Sequence, residues 1–291
     1  MHETSTVPAE HGLDGTSKVI GVAFDGTGDG TAAAVWGGGV LVADHDGILW
    51  FAQLAYVPLP GGDAAVERPY RMALSHLRAA GIAWTADLPC VQACPPEELR
   101  PLATQLARSL DCVATSSMGR LFDAVSSLAG ICHTVGHEGQ AAMELEAAAR
   151  GFTGPQGVDA ADVRYRFALR PAEPDTRGAT LIADPAPVFT AIVADVRAAA
   201  PTALIAASFH DAVVDLVRRV CTAARFAHGT DTVALAGGMF ANTLLSSACA
   251  ETLHQDGFTI LRHQRVRPND GVAAGPAYSP QETPSGCSAL R

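Results

Sequence analysis

The chain has 291 residues, of which 48% are hydrophobic and 17% charged, and a formal net charge of −10. This balance excludes a disordered chain, and the acidic excess excludes nucleic-acid binding through a basic groove. There is no uncharged apolar run of about 18 residues to span a membrane, and Met1–Ser5 do not begin a basic-then-apolar secretory leader.

Seven scattered cysteines, an odd number, fit reduced thiols in the cytoplasm better than a disulfide framework. Residues 1–17 are polar with interspersed Gly and Pro and read as a lead-in. From 18 to 57 the pattern predicts strands at Val19–Phe24, Ala33–Trp36, Val40–Asp44 and Ile48–Ala55, divided by Gly37-Gly38-Gly39 and Asp46-Gly47 turns. Pro58–Asp63 reads as a loop, and a helix is expected from Asp63 or Ala64 to Ala80. Cys90 and Cys94 stand four apart without a second ligand pair nearby, and Pro95-Pro96 marks a loop or helix start; this is weak ground for a zinc site.

Helices are predicted over Leu99–Leu110 and Gly119–Leu128, the latter capped by Ser116 or Ser117. The Ala- and Glu-rich stretch Gly139–Arg150 is helical by propensity. A Gly/Pro/Asp-rich loop precedes a strand at Tyr165–Leu169. Helices at Val188–Ala199 and Ala203–Ala227 follow. The chain then reads as strand Thr232–Ala236, helix Thr243–Asp256 and strand Phe258–Leu261. Hairpin strands first, then helices, then a βαβ unit imply an α/β fold with a mixed sheet and flanking helices. Residues 18–277 form the lobe, and 278–291 read as a loose tail.

Two glycine-centred segments each follow a short apolar run: Asp25-Gly26-Thr27-Gly28 and Ala236-Gly237-Gly238-Met239-Phe240-Ala241-Asn242. A buried strand ending in glycines lets backbone approach a phosphate or purine with no Cβ in the way. The helix after the second segment would aim free N–H groups at a ligand. Two such loops bracketing one chain point to a nucleotide held between them, although a tight turn or a helix C-cap explains a lone glycine pair more often.

The pattern becomes specific when further stretches are read with these two. They are Trp36-Gly37-Gly38, Pro58–Ala65 with Pro69–Ala73, Thr115–Val125, Glu138–Ala142, Phe209-His210 and Pro268-Asn269-Asp270-Gly271. In this order, over residues 18–277, the chain resembles the C-terminal carbamoyltransferase part of the HypF hydrogenase maturation proteins. That part is similar to the tRNA threonylcarbamoyl-transfer enzymes and has the actin/sugar-kinase/Hsp70-like, or RNase H-like, lobe.

The resemblance implies a reaction. ATP and carbamoyl phosphate give carbamoyl-adenylate, and the carbamoyl group passes to the C-terminal cysteine of a HypE-like acceptor protein. It implies catalytic roles for Asp25 and Glu138 and nucleotide contacts at Asp25, Gly26, Thr27, Gly28, Gly119, Asp123, Gly237, Gly238 and Asn242. It also implies a divalent metal held by Asp270, polarising an oxygen as a Lewis acid. Each residue has a plainer reading. Asp123 also reads as a helix-face charge, Asp270 as a turn residue, Glu138 as a charge favouring a helix dipole, and His210 as a packed, hydrogen-bonded histidine.

Three departures from the family stand out. The metal-binding histidine pair expected upstream of Val19 is replaced by His2 and His11, whose separation does not match one helical turn. A first lobe would precede residue 1, so a separately encoded N-terminal HypF part is a candidate partner. Near the end the chain has Asn269-Asp270-Gly271-Val272 and Gly275-Pro276 where the family runs Asn-Asp-Gly-Gly with a later Gly-Gln; one glycine is lost, and Pro276 would stop a helix beginning there. Three readings remain open: the acceptor-side lobe of a HypF-type enzyme, a lobe that binds nucleotide or HypE without turnover, and an O-carbamoyltransferase. Gly119–Asp123 and Pro58–Asp63 favour the HypF type over the last.

Overall fold

The computed structural model describes residues 17–28, 34–44, 47–153, 163–173 and 178–262. Asp270, His2, His11, the tail and all of the lead-in except Ser17 lie outside the described residues. Strand β1 (Val19–Gly28) lies inside the sheet, between two neighbours. Ile20, Val22 and Phe24 enter the main core, whereas Val19 packs with Ala234, Ala236 and Leu261 in a second cluster. Alternate residues of a strand point to opposite faces, so a strand covered on both faces is a continuous apolar run.

Antiparallel to β1 runs β2 (Ala34–Asp44), and β3 (Gly47–Leu54) is antiparallel to β2. On the other side of β1, β8 (Thr232–Ala236) pairs with it in parallel, and β9 (Thr259–Arg262) pairs in parallel with β8. With β6 (Ala168–Pro171) and β7 (Leu181–Asp184), the order is β6-β7-β3-β2-β1-β8-β9. A side branch of β4 (Val57–Pro60) and β5 (Cys112–Thr115) joins the start of β2. The sheet is mixed, as the element order implied.

Helices α5 (Met118–Leu128) and α8 (Thr202–His228) pack on β1 and β2. Phe122 of α5 meets Phe209 of α8 edge to face at 4.9 Å. Both rings are fully buried, and burying each contributes about 2–3 kcal/mol relative to exposure. Helix α2 (Pro69–Ala79) packs on α5, and α6 (Gln140–Arg150) packs between α5 and α8. Helix α7 (Ala186–Arg197) touches α2 and α8, and α9 (Thr243–Gln255) packs on α8 and β9.

The structure corrects several local expectations. The triple glycine does not divide β2. A Cβ at Gly37 would lie 2.5 Å from the Asp25 carbonyl oxygen, at Gly38 2.4 Å from the Ser116 carbonyl oxygen, and at Gly39 2.6 Å from the Trp50 ring. These glycines keep a strand thin where neighbours cross it, and they make no turn. Pro58–Pro60 is a strand rather than a loop; β4 pairs with β5 alone, and an edge strand tolerates proline.

The helix expected over 63–80 is two helices, α1 (Asp63–Glu67) and α2. Pro69 disfavours a helical Arg68, which takes φ −128° and ψ 79°. Helix α4 (Pro96–Arg108) begins three residues earlier than its apolar pattern suggested, after the short α3 (Pro89–Ala93). Tyr165 and Phe167 are buried but precede β6. Their apolar signal marks core contact, not strand.

Candidate functional site

Parallel pairing of Ala23 with Ala236 brings the C-terminal ends of β1 and β8 side by side. The two glycine turns therefore meet. Asp25 Oδ1 accepts a hydrogen bond from the Gly26 N–H at 2.7 Å, and a Cβ on Gly238 would lie 3.2 Å from the same oxygen. Gly237 has φ +97°, and a Cβ there would come within 2.2 Å of the Phe24 carbonyl oxygen. Its lack of a side chain is required by the protein's own backbone. Gly238 differs, because its nearest neighbour is one movable carboxylate oxygen.

A third element closes on these turns. Ser117 caps α5 by accepting from the Arg120 N–H at 3.2 Å, and its hydroxyl lies 2.8 Å from both the Asp25 and Gly26 carbonyl oxygens. Gly119 permits this approach; a Cβ there would sit 2.7 Å from the Gly26 α-carbon. One turn along α5, Asp123 is buried, and its Oδ2 lies 2.9 Å from Arg120 Nη1, with both side chains at most 5% exposed. Burial pushes the Asp123 carboxyl up to about 6, with Arg120 opposing. Gly26, Asp25, Gly119, Gly237 and Gly238 thus share one cluster, and α5 carries Asp123 away from its first turn into the interior. The backbone of Thr27 and Gly28 continues β1 beyond it.

At the far side of the second turn, a 3₁₀ turn (Gly238–Ala241) separates β8 from α9. Asn242 caps α9, its Oδ1 accepting from the Leu245 N–H at 2.9 Å, and its Nδ2 donates to His210 Nε2 at 3.0 Å. His210 Nδ1 donates to the Ala206 carbonyl oxygen at 2.8 Å, which fixes the neutral tautomer that accepts through Nε2. Burial lowers the His210 pKa, and its ring packs edge-on to Phe122. This is the packed-histidine arrangement. Asn242 is 8% exposed, and half of its hydrogen-bonding capacity is already used.

The free N–H groups expected at the start of α9 are not free. Glu146 Oε1 of α6 accepts from the Thr243 and Leu244 N–H groups at 3.1 and 3.2 Å. Burial opposes ionisation of Glu146, but Arg150, the Leu244 N–H and Thr243 together hold its carboxyl below the usual range. A carboxylate at a helix N-terminus satisfies its donors and favours its dipole, so this end is closed by the protein itself.

Glu138 lies elsewhere, exposed in the connection before α6, where its carbonyl oxygen is 3.0 Å from His137 Nδ1. Neither the close approaches nor the hydrogen bonds around Asp25 include it. Cys90 and Cys94 are buried, and desolvation pushes their thiols up to about 12 and about 11. Among the described residues, no three His, Cys, Asp or Glu side chains gather to hold a metal ion.

Three residues that shape the site were not singled out from the sequence: Ser117 as a clamp on the first turn, Arg120 and Glu146. Arg120 carries a readable signal, since it is the one basic residue of an otherwise apolar helix start and precedes Asp123 by three positions. Glu146 has no such signal, because its partner is more than ninety residues away in sequence.

The α/β lobe, with its mixed sheet and flanking helices, has the fold of solved HypF structures. The chain belongs to the family described as "Carbamoyltransferase, Kae1-like Domain, second subdomain", which matches residues 21–275. It is 34% identical to a "Carbamoyltransferase HypF2" of Cupriavidus necator over 94% of this chain and 35% of that protein. Identity is 37% to a "Carbamoyltransferase HypF" of Rhodobacter capsulatus over 88% of this chain and 31% of that one. The fold superimposes with a TM-score of 0.79 and 32% identity on a full-length HypF in its phosphate- and nucleotide-bound form, over 92% of this chain and 33% of that chain. The chain thus spans about a third of the length of these relatives.

Proposed function

We propose that this lobe takes part in HypF-type carbamoyl transfer in the maturation of nickel–iron hydrogenase. It would supply the nucleotide side of a site where the carbamoyl group of carbamoyl-adenylate passes to the C-terminal cysteine of a HypE-like acceptor. The cysteine sulfur forms a bond to the carbamoyl carbon, the carbon–oxygen bond to AMP breaks, and the thiol proton leaves with a base. The observation that carries this reading is the meeting of the Asp25–Gly26 and Gly237–Gly238 turns at the ends of β1 and β8, with Gly238 facing only a side-chain oxygen.

In this reading the Asp25–Gly28 hairpin receives phosphate, the adenine lies over Gly238, and Asp123 and Asn242 are the polar contacts beneath. Glu138 and Asp270 keep the roles implied by the family, catalytic residue and metal ligand, as proposals. The chain acts in the cytoplasm, where its cysteines stay reduced. No helix among the described residues is long and apolar enough to cross a membrane.

The test is carbamoyl transfer to a HypE-type acceptor from carbamoyl phosphate and ATP, followed by the mass of the acceptor's C-terminal peptide. It is run with the chain alone and with a separately supplied N-terminal HypF part. The expected result is transfer only when both are present. The second reading is a lobe that binds nucleotide or acceptor without turnover. It is favoured if the lobe binds AMP and no combination transfers.

A further inference from the structure

We propose that Arg120 reads the ligand's negative charge, selecting a phosphorylated over an unphosphorylated nucleoside at the turn formed by Asp25 and Gly26. The assignment rests on the nucleotide reading of that turn.

The bonding around Arg120 carries it. A guanidinium offers five N–H donors, and buried arginine–carboxylate pairs are commonly bidentate, with two aligned bonds. Arg120 is 3% exposed, yet its Nε and Nη1 have no aligned hydrogen-bond acceptor. The 2.9 Å approach of Nη1 to Asp123 Oδ2 is a single charge contact without hydrogen-bond alignment. Leaving a buried charged donor unmet costs more than an ordinary hydrogen bond contributes. A residue serving only as the counter-ion of Asp123 would use its fork on both carboxylate oxygens.

Position supplies the rest. Nη2 lies 3.5 Å from where a Cβ on Gly26 would stand, so the guanidinium sits directly behind Gly26. An oxyanion resting on this turn meets the Asp25 carboxylate on one side. Without a cation behind Gly26, the two negative groups repel in a low-dielectric site. Arginine suits the task because it stays charged when buried.

The experiment compares AMP with adenosine by calorimetry on the full chain. Wild type is expected to prefer AMP. Arg120→Met should cut that preference at least tenfold while leaving adenosine affinity within about twofold, and Arg120→Lys should retain part of it. Loss of AMP and adenosine affinity by the same factor, or an AMP preference that survives Arg120→Met, overturns the assignment. If Arg120→Met does not fold, the Arg120→Met/Asp123→Asn double variant, which leaves no uncompensated carboxylate, is measured against Asp123→Asn alone with the same expectation. Wild type that binds neither ligand overturns the nucleotide reading itself, a result distinct from binding without preference.

Discussion

Two helices of this protein each bury an aspartate beside arginine, and the pairs are built differently. Asp215 of α8 is fully buried and is approached by Arg218 at 3.1 Å, Arg219 at 3.4 Å and Arg166 at 3.7 Å. Arg219 also donates to the Phe167 carbonyl oxygen at 2.9 Å. Those three arginines are 22–49% exposed, so each reaches both the acid and water. They tie the segment before β6 onto α8. Asp123 of α5 has one buried arginine and one charge contact. The first cluster saturates its acid with three arginines, although Arg218 Nε there is also buried without an acceptor. The second leaves two guanidinium donors unmet next to a glycine turn, and it is this position that the proposed ligand contact rests on.

The largest expected effect comes from breaking the saturated cluster. Asp215→Ala leaves three arginines without their shared acid and should cost about 3 kcal/mol in urea unfolding, the lower end for a broken buried pair because the arginines can turn to water. It should leave the preference for AMP over adenosine untouched. A changed preference would show that the two clusters are coupled and dissolve the distinction.

Next in size is the pH dependence of the unsaturated pair. The folded carboxyl of Asp123 is pushed up to about 6 from 3.8. Its stabilising contribution is therefore fully present below about pH 4 and is lost as pH rises through 6, for a total of about 3 kcal/mol. Asp123→Asn removes the titration. Relative to wild type, its stability should gain about 1.4 kcal/mol per pH unit as pH rises from 4 to 6. The comparison of the two proteins cancels His76, whose pKa burial lowers to about 3 and whose contribution has the opposite sign in this window. Parallel curves would mean that Asp123 remains ionised at acid pH and that its pair is better matched than the contacts indicate.

The smallest stability effect is expected at Gly238. Gly238→Val meets one rotatable carboxylate oxygen and should cost about 1 kcal/mol, within the range of ordinary substitutions. AMP affinity should nevertheless fall at least tenfold, because the branched side chain enters the space assigned to adenine. Unchanged affinity would remove adenine from this surface.

Much of the fold was legible in the sequence because its signals are local. Val19–Phe24 and Thr232–Ala236 are unbroken apolar runs, and the expected bounds of the second match β8. A cap is expected at Ser116 or Ser117, and Ser117 is the one that caps α5. The errors fall where a residue's meaning depends on a distant neighbour. Gly37–Gly39 look like a turn until Asp25, Ser116 and Trp50 are placed against them. Strands β5 and β7, four residues each, are too short for a periodic signal. The candidate site shows the same division. Its glycine turns were visible along the chain, whereas the closing of α9 by Glu146 and the bonding deficit at Arg120 exist only once helices pack.

The Asp25 carboxylate resting on its own Gly26 N–H has a kinetic consequence. The turn carries a tethered competitor for any anion, always at hand and never diluted away. On the proposed reading, an incoming phosphate must displace that carboxylate before it can take the amide. The measured affinity is then the difference between two bonds to the same donor, and the rotation of one aspartate side chain stands between encounter and capture. Shortening that tether or lengthening it by one methylene would change how quickly the turn accepts an anion, even where the final contacts are the same.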